Sequence, residues 1–252
     1  NGKLEGLIFK ENYFKNKSKN GNSLSCPVVI MAGGKGKRLA PYTNKVPKPL
    51  VSIGDKAMIE LIMNEFHSFG INDYFISINH MGAMIESFLS KYSEKFNIKY
   101  IREDKPLGTA GSLKYLSNNI DVPFFVSNCD IIIKEDYSKI MKYHIQGKYN
   151  LTLVASMQHQ IIPYGVCSLN NDGDLLEIIE KPENDFLVNT GIYVLNPGVL
   201  DKIPDEKFYN ITDLISDLLK QNKKIGVFPI SNQSWSDFGE LDKFEINKKK
   251  IL

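Results

Sequence analysis

The sequence is poor in the residues that staple small proteins or bind structural metals. It has three cysteines among 252 residues, and Cys26, Cys129 and Cys167 lie far apart without forming a C-x-x-C pair. An odd number at this spacing disfavours both a disulfide framework and a structural zinc site. We therefore expect three small, buried thiols in a reducing cytoplasm.

The sequence also lacks a charge imbalance and long apolar runs. It contains 31 Lys and Arg against 29 Asp and Glu, a formal net charge of +2, whereas a dedicated nucleic-acid binder is strongly basic. No apolar stretch approaches the roughly 18 residues of a membrane span, and the first residues have no signal-peptide pattern. We therefore expect neither nucleic-acid nor membrane partners.

The first 25 residues differ in composition from the rest. Residues 1–9 have the pattern of a turn and a short strand, and residues 10–25 are rich in Lys, Asn and Ser, as in a solvated linker. Because the chain begins at Asn1 rather than Met, we expect further residues upstream. We predict a module remnant with its linker at 1–25 and one domain at 26–252.

Hydrophobic periodicity alternates between strand and helix in the first half. The pattern predicts strands at 27–31, 74–78, 98–101 and 124–126, and helices at 55–69, 84–96, 110–116 and 137–145. This β-α repetition predicts an α/β protein with a Rossmann-like, doubly wound, mostly parallel sheet. The second half predicts extra hairpin strands, with turn residues at 170–174, and a further strand and helix. These elements are predicted at 151–156, 165–169, 175–180, 192–195, 211–220 and 225–229.

A glycine-rich, basic turn follows the first predicted strand. Residues 32–39 read A-G-G-K-G-K-R-L. Ligands of open α/β sheets bind at the carboxyl ends of strands, where glycines admit a phosphate to the backbone and Lys or Arg neutralises its charge. The turn is not a Walker A loop, since Met31 replaces the leading glycine and Arg38 replaces the Ser or Thr. It is not the dinucleotide fingerprint either, because Leu39 stands at the third glycine position.

A lysine between two prolines lies ten residues beyond Arg38. In Pro47-Lys48-Pro49 the two rings predict an extended backbone at Lys48. A rigidly held lysine close to a phosphate-binding turn is best interpreted as a charge clamp.

These two motifs, A-G-G-x-G-x-R-L and P-K-P, resemble the signature of the sugar nucleotidyltransferases, the pyrophosphorylases that make nucleotide sugars. Further motifs follow in that family's order, and the resemblance extends from residue 27 to about 245. They are L-G-T-A-G at 107–111, N-C-D at 128–130, Y-G at 164–165, E-K-P at 180–182, N-T-G-I-Y at 189–193 and W-S-D-F-G at 235–239. Thr190 and Phe238 depart from the Ala and Ile that the family often has. The resemblance implies a GT-A-like nucleotide-diphospho-sugar transferase fold.

The resemblance also implies roles for individual residues. Asp130 and Asp237 would hold Mg²⁺, and with Arg38, Lys48 and Lys181 they form the implied catalytic set. The implied nucleotide contacts are Ala32, Gly33, Gly34, Lys35, Gly36, Asn79, His80, Gly108 and Thr109, although His80 is equally compatible with a surface loop. The implied sugar contacts are Gly165, Glu180, Lys181, Asn189 and Thr190.

The residue types suit the reaction of this family. A sugar 1-phosphate is mostly dianionic at neutral pH, since its second pKa is about 6, so this nucleophile needs no general base. Catalysis then requires two polyanions to be aligned and neutralised by a hard cation and by Lys or Arg. We therefore predict Mg²⁺ as cofactor, with an NTP and a sugar 1-phosphate as substrates.

Two other classes of protein are weighed against this interpretation. A nucleotide-binding regulator without catalysis would need neither of the two carboxylates. A glycosyltransferase would need a D-x-D motif at a strand end, whereas Asp172 and Asp174 fall among turn-forming residues. The Lys248, Lys249 and Lys250 run is interpreted as a solvated tail.

A narrower resemblance rests on residues 2–8. G-K-L-E-G-L-I is similar to the closing hairpin of a CBS module, which would itself be absent from this chain. CBS modules precede the guanylyltransferases of the legionaminic acid pathway, so this resemblance implies GTP and glucosamine 1-phosphate as substrates for surface-glycan synthesis. Mannose 1-phosphate guanylyl transfer and glucose 1-phosphate thymidylyl transfer are the alternatives. The sequence leaves the oligomeric state open, with a homo-oligomer as one option.

Overall fold

The computed structural model of the protein describes residues 23–251. The strand predicted at 1–9 and most of the linker predicted at 10–25 lie outside these residues, so the boundary at residue 26 stays a prediction. None of the described helices has the length and apolar character needed to cross a bilayer.

The described residues form an α/β fold in which strands and helices alternate in the first half. The α-helices are α1 (Met58–His67), α2 (Gly82–Leu89), α3 (Tyr137–Gly147), α4 (Ile211–Lys220) and α5 (Leu241–Ile251). The strands are β1 (Val28–Met31), β2 (Ser52–Ile53), β3 (Lys56–Ala57), β4 (Asp73–Ile78), β5 (Asn97–Arg102), β6 (Phe124–Asn128), β7 (Ile131–Ile133), β8 (Leu151–Ile161), β9 (Val166–Leu169), β10 (Leu175–Ile179), β11 (Glu183–Leu195), β12 (Ile225–Ser231) and β13 (Trp235–Asp237).

Seven of these strands form the central sheet, in the order β12-β8-β11-β6-β1-β4-β5. β11 runs antiparallel to both of its neighbours, and the other pairings in the sheet are parallel. This arrangement confirms the predicted mostly parallel, doubly wound sheet. The chain leaves β1 towards β4 on one side and later returns to β6 on the other, so the carboxyl ends of β1 and β6 flank a topological switch point.

Hydrophobic layers cover both faces of the sheet, as the uninterrupted apolar run of β1 requires. Val28 and Ile30 belong to one core, which includes the buried faces of α1 and α3. Val29 points the other way and belongs to the second core, which includes α4. The twofold alternation of side chains along a strand therefore divides β1 between two cores and fixes its place at the centre.

Two predicted helices differ from the structure. α2 ends at Leu89 rather than at residue 96, because Ser90 Oγ donates to the Ser87 carbonyl and the chain passes into a short 3-10 turn. The segment predicted as a helix at 110–116 is a 3-10 helix over Gly111–Leu116. The backbone N–H groups of Ala110 and Gly111 donate to the Tyr209 carbonyl, which ties this turn to the segment before α4.

β8 and β11 are much longer than predicted and extend past the carboxyl edge of the sheet. Their pairing continues to Glu183 opposite Ile161, and the ladder then passes into the β9–β10 hairpin. We call residues 159–185 the β-arm and the other described residues the body. Every residue of the β-arm is exposed except Asn170 and Pro182, which are half-buried.

The turn at the end of the β-arm agrees with the sequence prediction. Asn170 Oδ1 accepts from the backbone N–H groups of Asp172 and Asp174 at 3.0 and 2.8 Å. The D-x-D motif therefore belongs to an Asx-stabilised hairpin turn. The predicted burial of three cysteines is only partly right, because Cys26 and Cys129 are buried but Cys167 is exposed on β9.

Candidate active site

A cleft of about 460 Å³ opens at the switch point of the sheet. Three segments that follow β1, β5 and β6 line it, together with residues close to α4 and α5. The lining residues are Met31, Gly33, Gly34, Lys35, Gly36, Lys37, Arg38, Lys48, Glu103, Pro106, Leu107, Gly108, Thr109, Asn128, Cys129, Asp130, Phe208, Asn210 and Gly239. The cleft therefore brings together most of the predicted nucleotide and catalytic residues.

The glycine-rich turn forms one wall of the cleft. Gly36 has a φ of +64°, and a Cβ there would lie 3.0 Å from side-chain atoms of both Lys48 and Thr43. This position therefore needs glycine for its backbone conformation and for space. A Cβ on Gly34 would meet nothing within 4 Å, so its backbone faces open space. Ala32 is buried beneath the turn, and its N–H donates to the Ser77 carbonyl on β4.

Lys48 and Asp130 form an ion pair deep in the cleft. Lys48 Nζ donates to Asp130 Oδ2, and the two side chains are only 10% and 11% exposed. The predicted extended backbone at Lys48 is wrong, because Lys48–Leu50 is a 3-10 turn in which Leu50 N donates to the Pro47 carbonyl. The pairing indicates that Lys48 is held in the cleft as a buried cation.

The second predicted aspartate lies beside the first. β13 pairs with β7 so that Asp237 is opposite Ile131, and Phe238 N donates to the Asp130 carbonyl. A Cβ on Gly239 would lie 2.8 Å from Asp130 Oδ2 and 2.9 Å from Asp237 Oδ1. The two carboxylates thus converge on a space that any side chain at Gly239 would fill.

Asp237 also has its own lysine partner. Lys243 Nζ lies 3.0 Å from Asp237 Oδ2, and this hydrogen bond raises the pKa of the lysine. Lys48 and Lys243 thus balance the two carboxylates, one lysine for each aspartate.

The donor set fits a hard divalent cation that shares its coordination with a substrate. Mg²⁺ is commonly held by one or two carboxylates plus substrate phosphates, rather than by an all-protein cage. Residues 23–251 contain no group of three or more His, Cys, Asp and Glu side chains placed to hold a metal. Two convergent carboxylates beside a phosphate-sized cleft are compatible with Mg²⁺ and unlike a closed zinc site.

Cations line the outer part of the cleft. Lys35 and Lys37 are exposed, and Arg38 is paired with Glu240 at 2.9 Å. The neighbouring thiol of Cys129 is not a candidate nucleophile, because burial raises its pKa to about 12 and keeps it protonated. The cleft is therefore suited to a polyanionic ligand and not to thiolate chemistry.

The opposite wall contains a buried carboxylate that the sequence analysis missed. Glu103 follows β5 directly; Ser77 Oγ donates to its carboxylate, and Leu107 N donates to Oε2 at 3.1 Å. Asn79 Nδ2 donates to the Glu103 carbonyl at 2.5 Å, and Asn79 packs behind Gly33. The position of Glu103 just after a strand of the parallel sheet was the available signal.

Gly108 and Thr109, two of the predicted nucleotide contacts, line the cleft and also have structural roles. Gly108 has a φ of +79°, and a Cβ there would lie 2.7 Å from the Tyr209 carbonyl oxygen. Thr109 Oγ1 accepts from the first N–H of α4, on Ile211, at 2.9 Å.

Three of the predicted nucleotide contacts do not line the cleft. They are Ala32, Asn79 and His80, and His80 is half-buried in the loop after β4.

The predicted sugar contacts do not lie in the cleft. Gly165, Glu180 and Lys181 are on the β-arm and exposed. Asn189 and Thr190 lie on β11 within the body, where the register of the β8–β11 pairing shifts. Thr190 Oγ1 donates to the Val154 carbonyl at 2.8 Å, and Asn189 Nδ2 donates to the Tyr193 hydroxyl at 2.6 Å. Of the predicted catalytic set, the structure brings together Arg38, Lys48, Asp130 and Asp237. Lys181, which was predicted to be catalytic as well as to contact the sugar, lies apart from them with the other predicted sugar residues.

A doubly wound sheet with a cationic cleft and paired aspartates at its switch point defines a nucleotide-binding α/β protein. The family model described as "Nucleotidyl transferase" matches residues 27–252, and the chain belongs to this nucleotidyl transferase family. This confirms the resemblance that the sequence motifs indicated.

Relatives of known name agree with the family. A mannose-1-phosphate guanyltransferase of Yarrowia lipolytica is 35% identical over 184 residues, which cover 69% of this chain and 50% of that protein. The Debaryomyces hansenii protein of the same name is 32% identical over 226 residues, covering 86% of this chain and 62% of that protein. The chain thus spans between half and two thirds of these relatives. They do not support the narrower resemblance to the CBS-linked enzymes, which stays a prediction.

Solved structures agree with the fold. The crystal structure of HddC from Yersinia pseudotuberculosis superposes with a TM-score of 0.71 at 25% identity, covering 90% of this chain and all of that one (100%). A putative glucose-1-phosphate thymidylyltransferase from Bacillus anthracis has a TM-score of 0.70 at 23% identity, over 90% of this chain and 95% of that one. The predicted GT-A-like nucleotide-sugar fold is confirmed.

Proposed function

We propose that this protein transfers a nucleotidyl group from an NTP to a sugar 1-phosphate, forming a nucleotide sugar and releasing pyrophosphate. One observation carries the proposal. Asp130 and Asp237 converge on Gly239, beside the buried Lys48 and the glycine-rich turn. Membership of the nucleotidyl transferase family supports the same reaction class.

The reaction is an in-line substitution at the α-phosphorus. A phosphate oxygen of the sugar 1-phosphate forms a bond to that phosphorus, and the bond to the oxygen bridging the α- and β-phosphates breaks. Pyrophosphate leaves with the electron pair. The attacking phosphate is already ionised at neutral pH, so no side chain needs to take a proton from it.

The residues of the cleft act by holding and neutralising the phosphates. The N–H groups of the glycine-rich turn bind phosphate oxygens, and Arg38 and Lys35 neutralise the outer charge. Lys48 lies deepest and is assigned to oxygens of the reacting phosphate. Asp130 and Asp237 would hold a divalent cation. When bound, Mg²⁺ supplies positive charge and fixes phosphate oxygens in position.

We assign guanine as the base on the chemistry of Glu103. A buried carboxylate facing the cleft accepts hydrogen bonds, and the Watson–Crick edge of guanine offers two adjacent N–H donors. Adenine offers only its amino group on that edge. The names of the two fungal relatives support the same nucleotide.

For the sugar we retain two candidates. The sequence resemblance favours glucosamine 1-phosphate as the acceptor in surface-glycan synthesis, and the names of the fungal relatives favour mannose 1-phosphate. Both are hexose 1-phosphates, so the assignment to the cleft is the same for each.

Pyrophosphate release tests this proposal. The protein is incubated with Mg²⁺, each of GTP, ATP, UTP and dTTP, and each of glucosamine, mannose and glucose 1-phosphates. We expect release with GTP and one hexose 1-phosphate, and a GDP-sugar of matching mass. Binding of nucleotide without release from any pair would favour a non-catalytic regulator and overturn the proposal.

A further inference from the structure

The two oxygens of the Asp237 carboxylate have separate partners. Oδ1 accepts from the Gly239 N–H at 2.7 Å and lies 2.9 Å from the position of a Cβ on Gly239, the same space on which Asp130 converges. Oδ2 accepts from Lys243 Nζ at 3.0 Å. An ionised carboxylate has about four lone-pair positions, so Oδ1 keeps an acceptor position for a divalent cation while both hydrogen bonds stay in place.

The two lysines that balance the carboxylates differ in position. Of the described residues that line the cleft, Lys48 is one and Lys243 is not. Lys243 therefore binds the oxygen of Asp237 that the convergence with Asp130 does not use. This placement suits a residue that orients a carboxylate, and not one that touches a phosphate in the cleft.

α5 holds Lys243 in this position through its own packing. Phe244 is completely buried, and its ring centroid lies 6.1 Å from that of Phe238. Asn247, one helical turn beyond Lys243 and on the same face, is buried and donates to the Asp237 carbonyl at 2.7 Å. The helix therefore binds Asp237 at both its backbone and its side chain.

Glu240, directly before α5, connects Lys243 to the glycine-rich turn. Its Oε1 accepts from Arg38 Nη1 at 2.9 Å, and its Oε2 lies 3.6 Å from Lys243 Nζ. Glu240 thus offsets the positive charge of Lys243, which would otherwise oppose a divalent cation at Asp237. Arg38, Glu240, Lys243 and Asp237 form a row of alternating charge that ends on the proposed cation ligand.

We propose that Lys243 is a positioning residue for the divalent cation, because it holds Asp237 so that Oδ1 is presented together with Asp130. Hydrogen-bonded partners of metal-binding side chains orient them, and their loss typically lowers metal affinity about 10- to 100-fold. A lysine that merely competed with the cation would have the opposite effect, since its removal would free Oδ2 and tighten binding. The inference rests on the proposed function for the assignment of a divalent cation to Asp130 and Asp237.

Direct binding of Mn²⁺ tests this inference without turnover. Mn²⁺ alone is titrated into the whole chain, and electron paramagnetic resonance of the free ion gives the dissociation constant. We expect Lys243→Met to raise this constant about 10- to 100-fold. Lys243→Arg should restore most of the affinity, because arginine also donates to a carboxylate. An unchanged or lower constant in Lys243→Met would overturn the proposal.

A matched control and the kinetics separate positioning from a structural role. Lys223→Met removes an exposed lysine whose side chain has no hydrogen bond or ion pair to another described residue, so it should bind Mn²⁺ as the wild type does. In Lys243→Met the Mg²⁺ concentration for half-maximal pyrophosphate release should rise by the same factor as the Mn²⁺ constant, and saturating Mg²⁺ should restore kcat. Because Lys243 is 48% exposed, thermal unfolding of the variant should match the wild type.

Glu240→Gln tests the charge offset. We expect weaker Mn²⁺ binding, because the charge of Lys243 is no longer balanced beside Asp237. With Lys243→Met already present, Glu240→Gln should add little, since the two residues act together. Asp242→Asn, on the exposed neighbour in α5, controls for the loss of one negative charge. Fully additive losses would overturn the role of Glu240.

The outcomes also separate this inference from the proposed function. Mn²⁺ binding that weakens in Lys243→Met, in a chain that releases no pyrophosphate from any substrate pair, would remove the proposed function alone. Pyrophosphate release with Mn²⁺ binding that ignores Lys243→Met would remove only the role of Lys243. Mn²⁺ binding that is unchanged by both Asp130→Asn and Asp237→Asn would overturn the cation assignment and this inference together.

Discussion

β8 and β11 pass through two different environments within the same strands. In the body Val154 and Val194 are fully buried between neighbouring strands and helices. In the β-arm the same two strands continue with every side chain exposed and with each other as their sole partner among the described residues. The two parts of the proposed site therefore differ in how firmly their residues are supported. The phosphate residues are supported by a packed core, whereas the predicted sugar residues Gly165, Glu180 and Lys181 lie on an exposed ribbon.

The largest expected effect is on stability, and it separates the two regions by one matched substitution. Leu214 is completely buried in α4, and Leu176 is 66% exposed on the β-arm. Leu214→Ala should lower the free energy of unfolding by about 3 to 5 kcal/mol. Leu176→Ala should change it by no more than about 0.5 kcal/mol. Urea unfolding at a concentration where the chain is monomeric measures both. Equal losses would mean that the β-arm is packed on its own chain.

The next effect concerns the two ends of β6. Asp130 follows the carboxyl end of the strand in the cleft, and Asp121 is exposed before its amino end. Asp130→Asn should lower kcat at least ~100-fold, as loss of a group that organises transition-state charge does. Asp121→Asn is the control and should keep wild-type activity. Thermal unfolding must accompany the assay, because Asp130→Asn also leaves Lys48 buried without its partner.

Asp237→Asn extends the same comparison to the second carboxylate. We expect a loss of kcat of about 100-fold and a weaker dependence on Mg²⁺, because one of two converging carboxylates is lost. Full activity with an unchanged Mg²⁺ requirement would mean that Asp237 only pairs with Lys243 and does not hold the divalent cation.

A smaller effect tests the base assignment in the body. Glu103→Gln replaces a buried acceptor by an amide, so the preference for GTP over ATP in kcat/KM should fall about tenfold, within the usual value of one bidentate base contact. Asp104→Asn, on the exposed neighbour, is the control. An unchanged ratio would place the base away from Glu103.

Local chemistry made the body predictable. The apolar run of β1 and the glycine-rich turn after it are signals within a few residues of each other, and the structure places both as expected. Lys48 shows where a local rule failed. The preference of a residue before proline for extended backbone lost to a 3-10 turn closed by Leu50 N and the Pro47 carbonyl.

Non-local pairing made the β-arm unpredictable. Whether β8 ends at residue 156 or continues to Ile161 depends on a partner strand more than twenty residues away, and no local signal marks it. The same holds for Cys167, which was expected to be buried like the other two cysteines, although it is exposed on β9. Glu103 was missed for a different reason, because its role depends on Ser77 from the adjacent strand.

The smallest expected effect is a pH response of opposite sign in the two regions. Burial lowers the pKa of His144 in the body from its ordinary 6.5, whereas the hydrogen bond to Asp185 raises the pKa of His159 on the β-arm. The unfolded chain therefore binds a proton at His144 more readily, and the free energy of unfolding should fall as pH drops below about 6.5. His159 has the opposite effect. The stabilisation from its pair with Asp185 is present below pH 6.5 and disappears as the pH rises through the folded pKa of His159. This stabilisation is small because the pair is exposed. Ring-proton titration by NMR should place the two midpoints on opposite sides of 6.5, and His144→Gln should reduce the loss of stability as pH drops below about 6.5. Midpoints on the same side would contradict the difference in environment between His144 on α3 and His159 on β8.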